Sequence, residues 1–221
     1  MVSIRNRKKK IKKKEQNWRN QRNERGYSDS DVWNLCDWFI RTLKPMLKQL
    51  SENHMGFPES INREWFDKHE HELGMSYDRW VCWPSEEKDP EGYTIRSKAN
   101  DECAEQWKQI LSHMVFLLGE MDENTCTQKN PYEADVDKAN AEFHAKYGFL
   151  GDGLKTEEEK AEEEKKGLYR AYFPTDEPGR DDIAELYHKY YEEEKRLASY
   201  RDKCKDEFFK LFSKYFWDLW D

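Results

Sequence analysis

From residue 183 to residue 215 the chain sets apolar side chains at helical spacing almost without interruption: Ile183, Leu186/Tyr187, Tyr190, Leu197, Tyr200, Cys204, Phe208, Leu211/Phe212 and Tyr215. Recurrence at three- to four-residue intervals puts such side chains on one face of an α-helix. Residues 181–220 therefore read as helical throughout, and at about 1.5 Å per residue the helix exceeds ~50 Å. A stripe of that length needs a partner, either the rest of this chain or a second copy of it. This requirement selects an all-α fold, an irregular helical bundle with a long C-terminal helix. It also makes a homo-oligomer through that helix an expected assembly.

Other segments carry the same period. The stretch YSDSDVWNLCDWFIRTLKPMLKQL over residues 27–50 opens with Ser28 and Asp31 at the spacing of a capping box, Asp standing where Glu is preferred. Asp29 and Asp31 also suit the positive end of a helix. Val32, Leu35/Cys36, Phe39/Ile40, Leu43, Met46/Leu47 and Leu50 then recur, so this is a docking helix whose rings are expected to form core. Pro45 inside it is expected to kink or split it. Residues 59–80 form a weaker helix interrupted at Gly74, followed by an aromatic-bearing loop with a short strand near 93–95. A strong helix over 101–121 follows, apolar almost all round in its middle, and then a short one over 136–147. Residues 155–167 hold no apolar side chain except Ala161 and form either a solvated helix or a disordered spacer. The chain thus divides into a basic N-terminal arm over 1–25, a helical body over 26–150, an acidic spacer and loop over 151–180, and the long helix over 181–221.

Composition limits what these helices can enclose. Only 36% of the 221 residues are hydrophobic against 38% charged, but aromatics reach 14% with nine Trp. Each large ring buries roughly 150–250 Å², so a few of them can make small cores between helices with long solvated faces. Five widely spaced cysteines without a CxxC form neither a disulfide framework nor a zinc ribbon, which fits a reducing compartment. No apolar run approaches the roughly 18–20 residues of a membrane span, so no membrane is expected as a partner. The basic N-terminus lacks the apolar stretch of a signal peptide.

Charge is divided unevenly. Arg5, Arg7, Lys8, Lys9, Lys10, Lys12, Lys13 and Lys14 give residues 1–14 a charge of +8 with no acidic residue. The whole chain sums to −8, so the remainder carries −16. Arg19 and Arg22 continue the arm, and Trp18 could stack on a base. Eight cations, screened only over about 8–10 Å at physiological salt, attract phosphates. Without a base-reading motif the binding would be non-specific. An acidic body offers the same arm two other partners: the protein's own surface, on this copy or a neighbour, and a separate acidic protein.

GYSDSDVWNL, then PMLKQLSENHMGFP, then WKQILSHMVFLLGEMDENTC, in that order, resemble a group of uncharacterised bacteriophage proteins. The shared positions are Gly26, Ser28, Asp29, Asp31, Trp33, Asn34, Leu35, Gly56, Pro58, Trp107, Ile110, Leu111 and Met114, and the likeness spans roughly a third of the chain. Cys36 stands where the group's pattern has Asp, and the basic arm and the long C-terminal half are additional. The resemblance implies a helical protein of a phage, located in the host cytoplasm or the virion, and supplies no catalytic residue.

The remaining clusters weigh against chemistry. His69 and His71 beside Glu70 and Glu72 have metal-ligand chemistry, but two residues apart on a helix they point away from each other. Glu185 and His188 have the Glu-x-x-His spacing of di-iron bundles, without the second motif such sites need. His113 with Glu120 could be a base and its orienter, yet no nucleophile accompanies them, and His113 reads better as a half-buried packing residue. No metal, cofactor or enzyme activity is therefore expected. On the opening helix Asp31, Asn34, Asp37/Trp38 and Arg41 share a polar side flanked by Trp33. Together with Trp107 they form a possible ligand site, since rings beside hydrogen-bonding groups suit a nucleotide. The reading is a non-enzymatic phage accessory or virion-associated protein, its arm on nucleic acid and its acidic body on other phage or host proteins. The alternative is an anti-defence protein that sequesters a host nucleotide signal or blocks a host factor.

Overall fold

The computed structural model describes residues 4–82, 88 and 92–220, with residues 4–8 described in their backbone alone. Among these residues there are nine α-helices and no strand, so the all-α expectation holds. No helix among them is long and apolar enough to cross a membrane. The chain forms two units, Met1–Thr125 with Cys204–Asp221, and Cys126–Lys203. The division differs from the expected one: the body ends at Thr125, and the helix placed at its end belongs to the second unit.

In the first unit the helices are α1 (Ile4–Arg25), α2 (Asp29–Trp33), α3 (Leu35–Asn53), α4 (Glu59–Leu73), α5 (Tyr77–Cys82) and α6 (Ile95–Met121). The last turns of α9 (Asp181–Lys214) complete it. α6 is the centre. Its Ala99, Cys103, Trp107, Leu111, Met114, Leu117 and Leu118 are all buried, and α3 and α4 pack on it. Lys44 of α3 lays its ammonium over Gly119, where a Cβ would come within 2.8 Å of it and displace only the flexible end of that side chain. Large rings fill the seams. Trp65 stacks on Trp80 at 5.3 Å, Trp107 meets Tyr215 at 5.2 Å, and Phe39 lies 6.1 Å from Phe208 and 5.7 Å from Phe209. Two indole N–H groups find acceptors: Trp65 donates to Glu102 at 2.6 Å and Trp80 to Asn62 at 3.2 Å. A buried indole so satisfied keeps its full apolar benefit.

Several boundaries differ from the sequence expectation, each for a local reason. The opening helix breaks at Asn34, not at Pro45. Asn34 leaves helical geometry (φ −132°, ψ 68°) and accepts from the Asp37 N–H, capping α3, which then runs through Pro45 unbroken. Pro45 loses one backbone donor, while packing on α6 holds the helix together. α6 starts at Ile95 instead of residue 101, because Thr94 and Ser97 form a capping box. The strand expected over 93–95 is absent; Thr94 makes an isolated bridge with Lys88. Of that loop, residues 83–87 and 89–91 lie outside the described ones. Gly74, left-handed at φ 61°, ends α4 cleanly and separates it from α5. α9 stops at Lys214 and a 3-10 turn, Phe216–Asp218, follows. Trp33, expected in the core, is 85% exposed with Val32 and Leu35 beside it, and Phe39 does the docking instead.

The second unit contains α7 (Glu133–Tyr147), α8 (Glu157–Lys166) and the first part of α9. One buried cluster joins Val136, Ala139, Ile183 and Tyr187, flanked by Leu186 and Tyr190, and Cys126, Phe143 and Leu197 are also buried. Polar bonds supplement it. Tyr187 donates to Asn140 at 2.7 Å, and Asn130 donates to the Tyr190 carbonyl and to Glu194. The acidic spacer is a helix, α8, capped by Thr156 with Glu159. The buried Lys155 ammonium joins Asp152 at 2.7 Å to Glu163 at 2.9 Å, and Tyr172 donates to Glu159.

Trp107→Ala is expected to destabilise the first unit by about 3–5 kcal/mol, read from urea unfolding. Thiol titration at pH 8 should find two fast cysteines, Cys36 and Cys82, which are exposed; Cys103, Cys126 and Cys204 are buried and should react only on unfolding. Cys103 should be the slowest, since burial pushes its thiol up to about 11.

Candidate nucleic-acid interface

The arm is a helix over its described length. Lys, Arg, Gln and Glu tolerate helix well, but its charge pattern opposes one. Lys9/Lys13 and Lys10/Lys14 are like-charged pairs four apart, and the first turn holds no acidic residue to meet the helix dipole. An anion laid along this helix removes both penalties. Lys9, Lys10, Lys12 and Lys13 are exposed, and none of them forms an ion pair among the described residues. Lys14 lies 4.8 Å from the ring centroid of a half-buried Trp18. Lys10, Lys13 and Lys14 share an open hollow with Gln16, Asn17 and Asn20. Three ammonium groups and three amides at helical spacing make a surface rich in donors. The amides were missed in the sequence; the signal available was Gln16 and Asn17 three and four residues after Lys12, Lys13 and Lys14, with Asn20 one turn beyond them. Arg19 is exposed, and Arg5, Arg7 and Lys8 have side chains outside the described residues.

Arg22 has a different task from the one expected. Its guanidinium grips Asp31 with two bonds, Nη2 to Oδ1 at 2.7 Å and Nε to Oδ2 at 2.9 Å. Such planar two-point pairing fixes orientation as well as adding energy. Arg41 donates to the same Oδ1 at 2.9 Å. Ser28 supplies its N–H at 2.7 Å and its hydroxyl at 2.8 Å to Oδ2. The Asp31 side chain is only 4% exposed. The Arg22 hydrogen bond, with those from Ser28, holds its carboxyl far below the usual carboxylate range despite burial. Two residues earlier Asp29 takes Arg25 and Gln21, and Gln21 accepts back from the Asp29 N–H at 2.9 Å. The Ser28–Asp31 turn is thus a clamp for the C-terminal end of α1.

The same bonds dismantle the ligand site read from the opening helix. Arg41 is engaged with Asp31 and lies 3.8 Å from Asp37. Asn34 caps α3 and accepts from the Cys36 thiol at 3.0 Å. Trp38 is half-buried, Trp33 stands exposed, and Trp107 is a core residue against Tyr215. Trp107, in the core, does not share a surface with the exposed Trp33, Asn34, Asp37 and Arg41.

The histidine clusters are likewise occupied structurally. His69 stacks on Trp65 at 4.1 Å and its Nδ1 lies 2.8 Å from the Trp65 carbonyl, while His71 is exposed elsewhere on α4. Glu185 pairs with Lys189 at 2.6 Å, away from any second carboxylate–histidine motif. His113 is exposed, not half-buried, and meets Glu207 at 2.7 Å, whereas Glu120 is buried. Among the described residues no group of three or more His, Cys, Asp or Glu could hold a metal ion.

Asp31→Asn keeps the shape of the clamp and removes the charge that two arginines share. It should cost about 2–3 kcal/mol at pH 7 by urea unfolding. The sign with pH follows from the depressed folded-state value. Asp31 stabilises fully above its unfolded value of about 3.9, and the contribution is lost as pH falls below that. The gap between wild type and variant should therefore shrink from about pH 4 downward. Comparison with family models, curated proteins and solved structures finds no match to this chain.

Proposed function

We propose that the protein binds nucleic acid non-specifically through α1, as a non-enzymatic accessory or virion-associated protein of a phage. The observation that carries this is the row Lys9, Lys10, Lys12, Lys13 and Lys14, exposed and without a carboxylate partner among the described residues, on a helix clamped at its far end. Ammonium and amide donors match phosphate oxygens and read no sequence. The acidic remainder of the chain repels the same polyanion, so contact is confined to the arm. That remainder is free to meet protein partners. The phage setting rests on the resemblance of the SDSDVWNL and WKQILSHM segments, and it places the protein in the host cytoplasm or the virion. A nucleotide-sequestering protein is the weaker reading, because the polar groups it needs are engaged with one another and Trp107 is in the core.

Fluorescence anisotropy with a labelled duplex and a labelled single strand tests the proposal. Log affinity should fall linearly with log salt, at about 0.9 per phosphate neutralised on duplex DNA. Replacing Lys9, Lys10, Lys12, Lys13 and Lys14 by Gln should weaken binding at low salt by at least about a hundredfold and flatten that slope. Binding that ignores salt, or survives the quintuple change, would sink the idea. An arm seated on the protein's own acidic surface would instead give no DNA binding and a salt-sensitive association of the protein with itself.

A further inference from the structure

The first unit leaves an apolar cleft open to solvent. Leu43, Met46 and Leu50 of α3 form one wall; Phe212, Phe216 and Trp220, from the end of the chain, form the other. The space is about 500 Å³. Gln49 and Asn53 are its polar members, and no charged side chain lines it. Immediately beside it, the 3-10 turn Phe216–Asp218 holds out Trp217, 84% exposed. A projecting indole and a cleft wide enough for one thus occupy consecutive residues: Phe216 is wall and Trp217 is knob.

We propose that this face is a two-fold interface between two copies of the chain, each Trp217 seated in the other's cleft. Three features select a second copy as the occupant. An isologous contact needs a surface complementary to itself, with knob and hole close to the symmetry axis, and here they are neighbours in sequence and in space. The area is of the right order. Met46, Phe216, Trp217 and Trp220 are 60%, 47%, 84% and 74% exposed. At the size of large side chains this is roughly 500–600 Å² of apolar surface per copy, most of the ~800 Å² a stable interface takes from each partner. The third feature is charge. Two copies of net charge −8 repel in general, and an uncharged cleft is where like-charged bodies can meet at least electrostatic cost. Nucleic acid does not suit this surface, which offers no cation to a phosphate. The inference is independent of the arm's function, and it confines the contact to the cleft at the end of α9, where Phe212 closes the apolar stripe, instead of spreading it along the helix.

Sedimentation velocity of the full chain between about 1 and 100 µM, at 0.15 and 0.5 M NaCl, tests it. The expected result is a monomer–dimer equilibrium that persists at the higher salt. Trp217→Ser and Met46→Glu, both at exposed positions, should each weaken the dimer at least tenfold with unchanged circular dichroism. Trp33→Ser removes an equally exposed ring that does not line the cleft, and should leave the dimer intact. A monomer at every concentration overturns the proposal, as does a dimer indifferent to both cleft variants. A dimer lost at 0.5 M salt also overturns it, and assigns self-association to the basic arm.

Discussion

Burial around α6 is the constraint on which the first unit depends. The chain is more charged than apolar, so it cannot enclose a broad core; it surrounds one helix with large side chains. Cys103, Trp107, Leu111, Met114 and Leu118 follow one another at three- and four-residue steps along α6. The partners are brought by other segments: Trp65 and Trp80 by α4 and α5, Tyr215 by the turn after α9. Each ring removes much apolar area with few rotatable bonds, so cohesion per ordered residue is high. The second unit adds hydrogen bonds and the Lys155 ion pairs to a buried set that includes Val136, Ala139, Phe143, Ile183, Tyr187 and Leu197.

The period of apolar residues made the helices legible, and the reason is geometric. α6 and α9 repeat their buried positions for many turns, and no strand pattern competes with that. Boundaries were less legible, because they turn on one or two polar atoms. Nothing in the periodicity of residues 28–50 distinguishes a break at Asn34 from one at Pro45. The Asn34 side chain decides it by capping α3, and contact with α6 spares the proline position. Thr94 extends α6 by about a turn and a half in the same way. The fate of individual rings was the least legible. Trp33 and Phe39 both lie in an apolar-periodic run, yet one faces solvent and the other packs on three phenylalanines. The angular offset introduced at Asn34 separates them.

The candidate site was legible as charge and not as connection. A run of lysines announces itself by composition. What each cation does depends on acceptors that other segments bring. Arg22 was counted among phosphate ligands because its sequence neighbours are basic, but the partner that defines it is nine residues away across a turn. Asp31 is the converse: it suited a helix start, and it does cap one through Ser28, but its second oxygen also gathers two arginines. One carboxylate serving as cap and as joint is economical in a chain whose arm and body have opposite sign.

The joint at Asp31 also sets a load path. Gly26 and Tyr27 alone would transmit tension from the arm as a swivel. With Arg22 fastened to a carboxylate that Arg41 also holds, a pull on α1 passes sideways into α3 and so into the packing around α6. A load on α1 would therefore strain the body of the first unit itself, not merely the peptide link to it.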